Sequence, residues 1–539
     1  MSEKVLMPAE DDRFNYKDVR SDRKSGVLLH ITSLPSPYGI GTMGAAARDF
    51  IDFLAEAGQS YWQILPIGPT GFGDSPYQSF STRSGNPYLI DIDLLIKEGL
   101  LEHNEPLEFD FGSDEEKVDF SLMWKNRLNL LRLAWERMHQ KKVPSALLQE
   151  FEDFKTAECE DWLEDYAIFM SIKNEYGGAP WNEWPDALKL RNPVHLAEFA
   201  ETHKEEIEFR EFLQFIFFRQ WEGLHSYARN AGIEIMGDLP IYVAGDSVEV
   251  WTEPELFQMD DDLNPTFVSG TPPDDYADGG QLWGSPLFKW EAHEEEGFAW
   301  WIERVRFQMR FYDMLRLDHF RGFESYWAVP YGDPTARRGQ WVQGPADKLF
   351  DAIKEELGDL PMFAEDLGYM TKEVSDFRER TGFPSMKVMQ FAFNPNDLSD
   401  YLPHNMVENA VLYTGTHDND TILGWKEEEA SQEELVFAKK YLGLNKEEGF
   451  VWGMMRGAAT TVAKTVIFQM QDLLELDNSA RMNVPATLGG NWDWRMKSDA
   501  LNSELAQKLR ELTRISGRIA AKEAVKVPPS AKHKKPETV

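Results

Sequence analysis

Apolar and polar positions follow two alternating patterns at the start of this chain, and these patterns predict strands and helices in turn. The segment KSGVLLHITSLP (24–35) is a short apolar run that ends in polar residues and proline. Apolar residues then recur at helical spacing between Phe50 and Gly58, and a second apolar run, YWQILPIGP, follows at 61–69. A strand, a helix and a strand within about 45 residues have the length of one βαβ unit, which predicts a parallel sheet.

Helical periodicity alone follows these strands over about residues 97–230. Apolar side chains such as Trp124, Leu128 and Leu131 recur with a period of about 3.6 residues. We therefore expect a large, mostly helical insertion in this part of the chain. Strands return with GIEIMGDLPIYV at 232–243.

A segment rich in Pro, Gly and Asp, VSGTPPDDYADGGQLWGSPLFKW (268–290), comes next. It is too irregular for a regular element and too aromatic for a plain linker, so we interpret it as a functional loop. Its surroundings, about residues 244–300, then form a loop subdomain, and the segment itself is a candidate lid.

Further apolar runs complete a set of eight predicted strands. These runs lie at 313–320, 361–368, 385–393, 409–420 and 480–487. Eight strands, each followed by helical material, fit an α/β fold, the (β/α)8 TIM barrel, which needs about 250 residues. We predict one barrel over 25–525 that carries the insertions, with an N-terminal arm at 1–24 and a flexible C-terminal tail at 526–539.

Charge and cysteine content restrict the partners and the compartment. The 539 residues include 56 Lys and Arg against 92 Asp and Glu, which gives a formal net charge of −36. No basic stripe is present to neutralise phosphates, so nucleic acid and anionic membranes are poor partners. Cys159 is the single cysteine, and neither a secretory h-region nor a run of about 20 apolar residues is seen. We expect a soluble protein of the reducing cytoplasm.

Several predicted strands end in a carboxylate, and this is the strongest chemical signal in the sequence. IMGD ends at Asp238, LRLD at Asp318, FAED at Glu365 and TGTHD at Asp418. Parallel strands of a barrel place all these groups on the C-terminal rim, where active sites are built. Each residue alone is also a common helix cap, but two carboxyl groups on one rim are what cleavage of a glycosidic bond requires.

Metal-assisted chemistry is the alternative interpretation of this rim. His319 and His417, next to Asp318 and Asp418, offer ligands for a divalent cation. HxH and HExxH spacings are absent, and no phosphate-binding or dinucleotide-binding glycine motif is present. We therefore predict a site with no metal and no cofactor.

Aromatic residues outside the predicted strands point to a sugar ligand. They make up 13% of the chain, with 18 Trp, although any single one is more often a packing residue. Phe72, Tyr77, Tyr276 and Trp283 lie beside polar groups in loops, within reach of a ligand at the rim.

Eight motifs together resemble the 4-α-glucanotransferases of the amylomaltase type, also called disproportionating enzymes, in glycoside hydrolase family 77. The resemblance spans about residues 25–520. The motifs are HITSLPSPYGIG (30–41), GFGDSPYQSFSTRSGNPYLI (71–90), GDLPIYV (237–243), PPDDYADGGQLWGSPLF (272–288), LRLDHFRGFESYWAVP (315–330), AEDLG (364–368), TGTHDNDT (414–421) and RMNVPATLGGNW (481–492).

The resemblance implies a role for each matching residue. Asp318 matches the nucleophile, Glu365 the general acid/base and Asp418 the carboxylate that holds the −1 sugar. The substrate-binding residues that it implies are Ser75, Tyr77, Asp238, Gln281, Trp283, Arg316, His319, His417 and Asn483. Arg316 lies two residues before Asp318, on the same face of the strand, where its charge would keep the nucleophile ionised.

The implied activity is transfer of a 1,4-α-glucan segment between maltooligosaccharides or other glucans. An α-glucan hydrolase with the same three carboxylates and a non-catalytic glucan-binding protein stay open as alternatives. Two positions depart from the family pattern: Ala486 stands where many relatives have Gly, so we expect a different course of the last loop. Phe72 replaces a Tyr of some relatives, which puts a second glucan site there in doubt.

Overall fold

Eight parallel strands close into a barrel in the computed structural model, which describes residues 22–71, 73–140, 144–273, 277–397, 399–487 and 489–519. Numbered along the chain, the strands are β1 (Lys24–Leu28), β2 (Tyr61–Gln63), β3 (Glu234–Leu239), β4 (Phe267–Thr271), β5 (Gln281–Pro286), β6 (Met314–Leu317), β7 (Ser325–Pro330), β8 (Gln340–Gln343), β9 (Met362–Ala364), β10 (Ser385–Val388), β11 (Ala410–Tyr413) and β12 (Thr465–Gln469). The barrel order is β1-β12-β11-β10-β9-β6-β3-β2. The predicted TIM barrel is confirmed.

Side chains of the barrel strands alternate between the interior and the surrounding helices. On β3, Met236 belongs to the cluster inside the barrel, whereas Ile235 and Leu239 pack outward. The interior cluster is formed by one or two residues from most strands, including Leu28, Tyr61, Met236, Phe363, Met386, Val411 and Ile467. This apolar plug fills the barrel, so only the rim above it is open to chemistry.

Helices surround the barrel and fill most of the predicted insertion. Their bounds are α1 (Ala45–Glu56), α2 (Ile92–Lys97), α3 (Phe120–Met138), α4 (Ser145–Glu158), α5 (Glu164–Glu175), α6 (Asp186–Lys189), α7 (Pro193–Thr202), α8 (Lys204–Ala231), α9 (Val248–Thr252), α10 (Trp290–Glu295), α11 (Ala299–Phe311), α12 (Arg321–Glu324), α13 (Asp347–Leu357), α14 (Lys372–Thr381), α15 (Ile422–Gly424), α16 (Gln432–Leu442), α17 (Phe450–Ala459), α18 (Met470–Leu473) and α19 (Ser503–Ile515). None of these helices is both long and apolar enough to cross a membrane, within the described ranges.

The long helix α8 joins the insertion to the barrel. It packs against α1 and ends at Ala231, and Gly232, with a positive φ of 80°, provides the left-handed cap before β3 begins. The helical content expected at 97–230 is therefore present, and its last helix also serves as a barrel helix. The division of the chain into one barrel with two inserted parts stays a prediction.

The eighth barrel strand lies at β12, so the strand predicted at 480–487 is wrong. TVIFQ is buried at every position and pairs with β1 and β11. Residues 481–487 form an irregular loop instead. The backbone N–H of Asn483 donates to the carbonyl of His417 at 3.0 Å, a contact between two rim loops rather than a strand ladder.

The segment 268–290 contains two strands, which corrects the prediction that it holds no regular element. β4 and β5 pair antiparallel, and β4 also pairs with β7, in a four-stranded sheet of order β5-β4-β7-β8. A bulge lies between Val268 and Gly270. A Cβ on Gly270 would lie 2.4 Å from the carbonyl oxygen of Gln281, so the close approach of the two strands requires glycine. We call these four strands the lid sheet.

Several predicted features fall outside the described residues. They are most of the N-terminal arm, the C-terminal tail at 526–539, Phe72 and Tyr276.

Candidate active site

The ends of neighbouring barrel strands bring the predicted carboxylates to one rim. Asp238 lies near the end of β3, and Asp318 directly follows β6. Glu365 directly follows β9, and Asp418 lies in the loop after β11. Because the strands are parallel, all four groups lie at the C-terminal mouth of the barrel.

Arg316 joins two of these carboxylates. Its Nη1 donates to both oxygens of Asp238, at 2.9 and 2.8 Å, and to Oδ1 of Asp318 at 2.8 Å. Burial alone would lower the pKa of Arg316, but the charges of Asp238 and Asp318 raise it well above its usual range. The guanidinium is therefore a fixed positive charge against Asp318.

Tyr77 extends this network across the mouth of the barrel. Its hydroxyl donates to Oδ2 of Asp238 at 2.8 Å, so its oxygen accepts from Nε2 of His417 at 2.9 Å. Burial raises the pKa of Tyr77 well above its usual value, so the hydroxyl keeps its proton. The rings of Tyr77 and His417 stack with their centroids 5.3 Å apart. Ser75 Oγ accepts the backbone N–H of Tyr77 at 3.3 Å and thus positions this loop.

Asp418 is held by the loop that follows β12, the eighth strand of the barrel. Nδ2 of Asn483 donates to Oδ1 of Asp418 at 2.6 Å, and Nε2 of His417 lies 3.4 Å from Oδ2. Nη2 of Arg481 donates to the backbone carbonyl of Asp418 at 2.6 Å. The same guanidinium donates through Nε to the carbonyl of Asn483 at 2.9 Å and forms an ion pair with Asp420. One arginine thus connects the loops after β11 and β12.

Glu365 has a different environment from Asp318. Its two oxygens accept backbone N–H bonds, from Leu367 at 2.9 Å and from His319 at 2.8 Å. Burial raises the pKa of Glu365 to about 7, against the opposing effects of the Arg316 charge and of these two N–H groups. This carboxyl can therefore hold a proton near neutral pH.

The lid sheet contacts the rim through Trp283. The Trp283 ring lies edge-on to the His319 ring, with the centroids 4.8 Å apart, and its Nε1 donates to Oε1 of Gln281 at 3.2 Å.

Burial lowers the pKa of His319 to about 4, so its imidazole is neutral. His319 has a φ of 47°, in the left-handed region that a non-glycine residue occupies at a cost of about 1–2 kcal/mol.

The structure brings all twelve predicted site residues into one connected set. Hydrogen bonds link Ser75, Tyr77, Asp238, Arg316, Asp318, His417, Asp418 and Asn483, backbone contacts add Glu365 and His319, and ring contacts add Trp283 with Gln281. No group of three or more His, Cys, Asp or Glu side chains in the described ranges is arranged to hold a metal ion.

Sequence reasoning missed two residues that shape this rim. Arg481 and Asp420 lie within motifs that carry the resemblance, but neither is a predicted site residue. The position of Arg481, a charged residue two positions before Asn483, was the available signal in the sequence. The pairing of Arg481 with Asp420 could not be predicted, because the two residues lie 61 positions apart along the chain.

A closed parallel barrel whose rim holds a cation-paired carboxylate and a protonatable carboxyl offers the pair of groups that cleavage of a glycosidic bond requires. Comparison with known proteins identifies the family. The family model described as 4-alpha-glucanotransferase matches residues 29–502. The chain belongs to the 4-alpha-glucanotransferase family and is an enzyme of that activity, which confirms the family expected from the motifs.

Relatives in other organisms match almost the whole chain. The 4-alpha-glucanotransferase of Clostridium butyricum is 47% identical over 91% of this chain and 100% of its own length. That of Thermus thermophilus is 44% identical over 92% of this chain and 99% of its own length. Among solved structures, the amylomaltase from Streptococcus agalactiae in complex with acarbose has a TM-score of 0.89 at 43% identity and covers 92% of this chain and 99% of its own.

Proposed function

We propose that this enzyme transfers a segment of a 1,4-α-glucan to the 4-hydroxyl of glucose or another glucan by retaining double displacement. The contrast between two carboxyl groups carries the proposal. Asp318 accepts a hydrogen bond from a buried guanidinium, whereas desolvation raises the pKa of Glu365 to about 7. A general acid must hold a proton when it acts, and the raised pKa of Glu365 favours that state, while Asp318 lies against the positive charge of Arg316.

In the first step, Glu365 donates its proton to the glycosidic oxygen while Asp318 attacks the anomeric carbon. The bond to the leaving sugar breaks, the shortened glucan departs with a free 4-hydroxyl, and a covalent glucosyl-enzyme forms on Asp318. In the second step, Glu365 removes the proton of an acceptor 4-hydroxyl, whose oxygen displaces Asp318. Two inversions retain the α configuration, and the mechanism requires the two carboxyl groups to lie about 5–5.5 Å apart.

The other rim residues bind and distort the donor sugar in this proposal. Asp418, held by Asn483, accepts hydrogen bonds from hydroxyls of the −1 glucose, and His319 and His417 contact neighbouring hydroxyls. Tyr77 provides the flat surface beneath that sugar, with Ser75 fixing its loop. Asp238 holds Arg316, and Arg316 positions Asp318 by donating to its Oδ1.

Transfer, rather than hydrolysis, requires that an acceptor sugar displace water at the glucosyl-enzyme. The lid sheet carries Gln281 and Trp283 to the side of His319, and we propose that they cover the acceptor and exclude water. Maltooligosaccharides, starch and glycogen are the 1,4-α-glucans that such a site would use. We place the reaction in the cytoplasm, since Cys159 is the single cysteine of the chain.

Incubation of the purified enzyme with maltotriose alone tests this function. We expect glucose and a ladder of longer maltooligosaccharides at a constant number of reducing ends. A rise in reducing ends with only glucose and maltose as products would instead identify a hydrolase. Unchanged maltotriose that still binds would identify a non-catalytic glucan-binding protein.

A further inference from the structure

Two exposed aromatic side chains flank one buried arginine just outside the rim. The guanidinium carbon of Arg321 lies 4.0 Å from the ring centroid of Trp341 and 5.4 Å from that of Tyr369. Tyr369 is 71% exposed and Trp341 38% exposed, whereas Arg321 is only 6% exposed. We call these three residues the aromatic platform.

The two rings are held in place before any ligand arrives. Nη1 of Arg321 donates to the backbone carbonyl of Tyr369, and Nη2 donates to Ser325 Oγ at 3.4 Å. Trp341, on β8, also contacts the ring of Trp327 edge-on at 5.2 Å. A ligand that stacks on such rings loses little of its binding energy to ordering them.

The platform continues directly from the active site. Tyr369 lies four residues after Glu365, and Arg321 lies two residues after His319. Two hydrogen bonds join these segments at the rim, from the N–H of Phe320 to the carbonyl of Glu365 at 3.0 Å and from the N–H of His319 to Oε2 of Glu365 at 2.8 Å. A third hydrogen bond joins the two segments at the platform, from Nη1 of Arg321 to the carbonyl of Tyr369.

We propose that the aromatic platform binds glucose units of a 1,4-α-glucan chain that extends beyond the catalytic cleft. The inference rests on the proposed function and names an additional subsite for its long substrates. Single exposed aromatic residues are normal on protein surfaces, but two rings fixed around one buried cation beside a sugar cleft form a built surface.

The burial of Arg321 identifies the class of ligand. Because both rings and the backbone of Tyr369 cover its guanidinium, Arg321 positions the rings and presents little charge to solvent. An anionic ligand would therefore gain little from Arg321. A pyranose ring is neutral and has an apolar C–H face, which matches the exposed face of an aromatic ring.

Two single variants, Tyr369→Ala and Trp341→Ala, test the platform, with Tyr176→Ala as the matched control. Tyr176 is a 40% exposed aromatic residue that follows α5 in the helical insertion. KM and kcat are measured with maltotriose and with linear amylose. We expect each platform variant to raise KM for amylose by about two- to tenfold, the range of one aromatic contact, with kcat unchanged. The maltotriose constants and the control should equal those of the wild type.

The same substitutions in the Asp318→Asn background separate binding from turnover. Calorimetric titration should show weaker amylose binding for the platform variants and unchanged maltotriose binding. Unchanged amylose affinity in Tyr369→Ala, whose exposed ring is not needed for folding, would overturn the proposal. Equal losses on both substrates would also overturn it, because they would indicate damage to the rim. Failure of the wild type to convert maltotriose would refute the proposed function, while the titrations would still decide on the platform.

Discussion

The two sides of the catalytic rim hold their carboxyl groups with different partners. On one side, Asp318 and Asp418 are bonded to the side chains of Arg316 and Asn483. On the other side, Glu365 is half-buried, and within the described chain its hydrogen bonds come from backbone N–H groups. Desolvation raises the pKa of Glu365 to about 7. The proposed nucleophile and the proposed general acid thus lie at one barrel mouth with different partners.

The largest expected effect comes from removing the negative charge of Asp318, which is paired with Arg316. Asp318→Asn keeps the shape of the side chain but removes the proposed nucleophile, and we expect maltotriose transfer to fall by more than about 10⁴-fold. Arg316 keeps its bonds to Asp238, so the fold should be unchanged. Turnover assays and titration with maltotriose check both points. Measurable transfer by a protein free of wild-type contamination would remove Asp318 from the mechanism.

The activity should depend on pH through Glu365. Glu365 has its pKa raised from the usual 4.5 to about 7, so it is protonated below that pH and loses the proton above it. We expect kcat/KM for maltotriose to fall with rising pH through about 7, approaching tenfold per unit on the alkaline limb.

Glu365→Gln checks the assignment of that limb. We expect a loss of about 10²–10⁴-fold on maltotriose and no remaining alkaline limb near pH 7. α-Glucosyl fluoride, whose leaving group needs no proton, should still glycosylate the variant. A wild-type limb that persists in the variant would assign the titration to another group.

An intermediate effect is expected from substitution of Arg481, which donates a hydrogen bond to the backbone carbonyl of Asp418. Arg481→Ala removes donors to two rim carbonyls and to Asp420, and a displaced Asp418 should lower kcat by about 10²-fold. Lysine cannot reproduce the three directions of the guanidinium, so Arg481→Lys should recover little. Added guanidinium should partly rescue Arg481→Ala. If circular dichroism and activity both stay at wild-type values, Arg481 does not position Asp418.

The smallest effect concerns the loop that carries Asn483. Ala486 has a φ of 62°, in the region that favours glycine. Ala486→Gly should relieve about 1–2 kcal/mol of backbone strain and lose part of that gain to the higher entropy of the unfolded chain, so a small rise in Tm is expected. Ala486→Val should lower Tm. Equal Tm values for the three proteins would show that this loop tolerates the conformation without cost.

The sequence predicted the rim well because its chemistry is local to strand ends. An apolar run that ends in a carboxylate, as in LRLD at Asp318, specifies both the strand and the placement of its last side chain. The spacing of Arg316 and Asp318 likewise placed both groups on one face, and they form an ion pair. The pKa of Glu365 could not be read from its neighbours, because burial by distant elements is its largest cause.

Elements defined by distant partners were missed. β12 follows the apolar helix α17 closely, and periodicity alone does not separate a short buried strand from helical material. In the lid sheet, Gly270 opposes strand formation locally, and pairing of β4 with β7 overrides it. That pairing depends on residues more than fifty positions away, which no short window along the sequence contains. Gly284 and Pro286 oppose strand formation in β5, which forms by pairing with β4.

The strands of the lid sheet lie in two different segments that connect barrel strands, one between β3 and β6 and one between β6 and β9. β4 and β5 precede β6 in the chain, and β7 and β8 follow it, so the strand that carries Asp318 separates the two halves. Because β4 pairs with β7, a ribosome must complete β6 before the central pair of the lid can form. The sheet can therefore be completed only after the strand that leads to Asp318 has been synthesised.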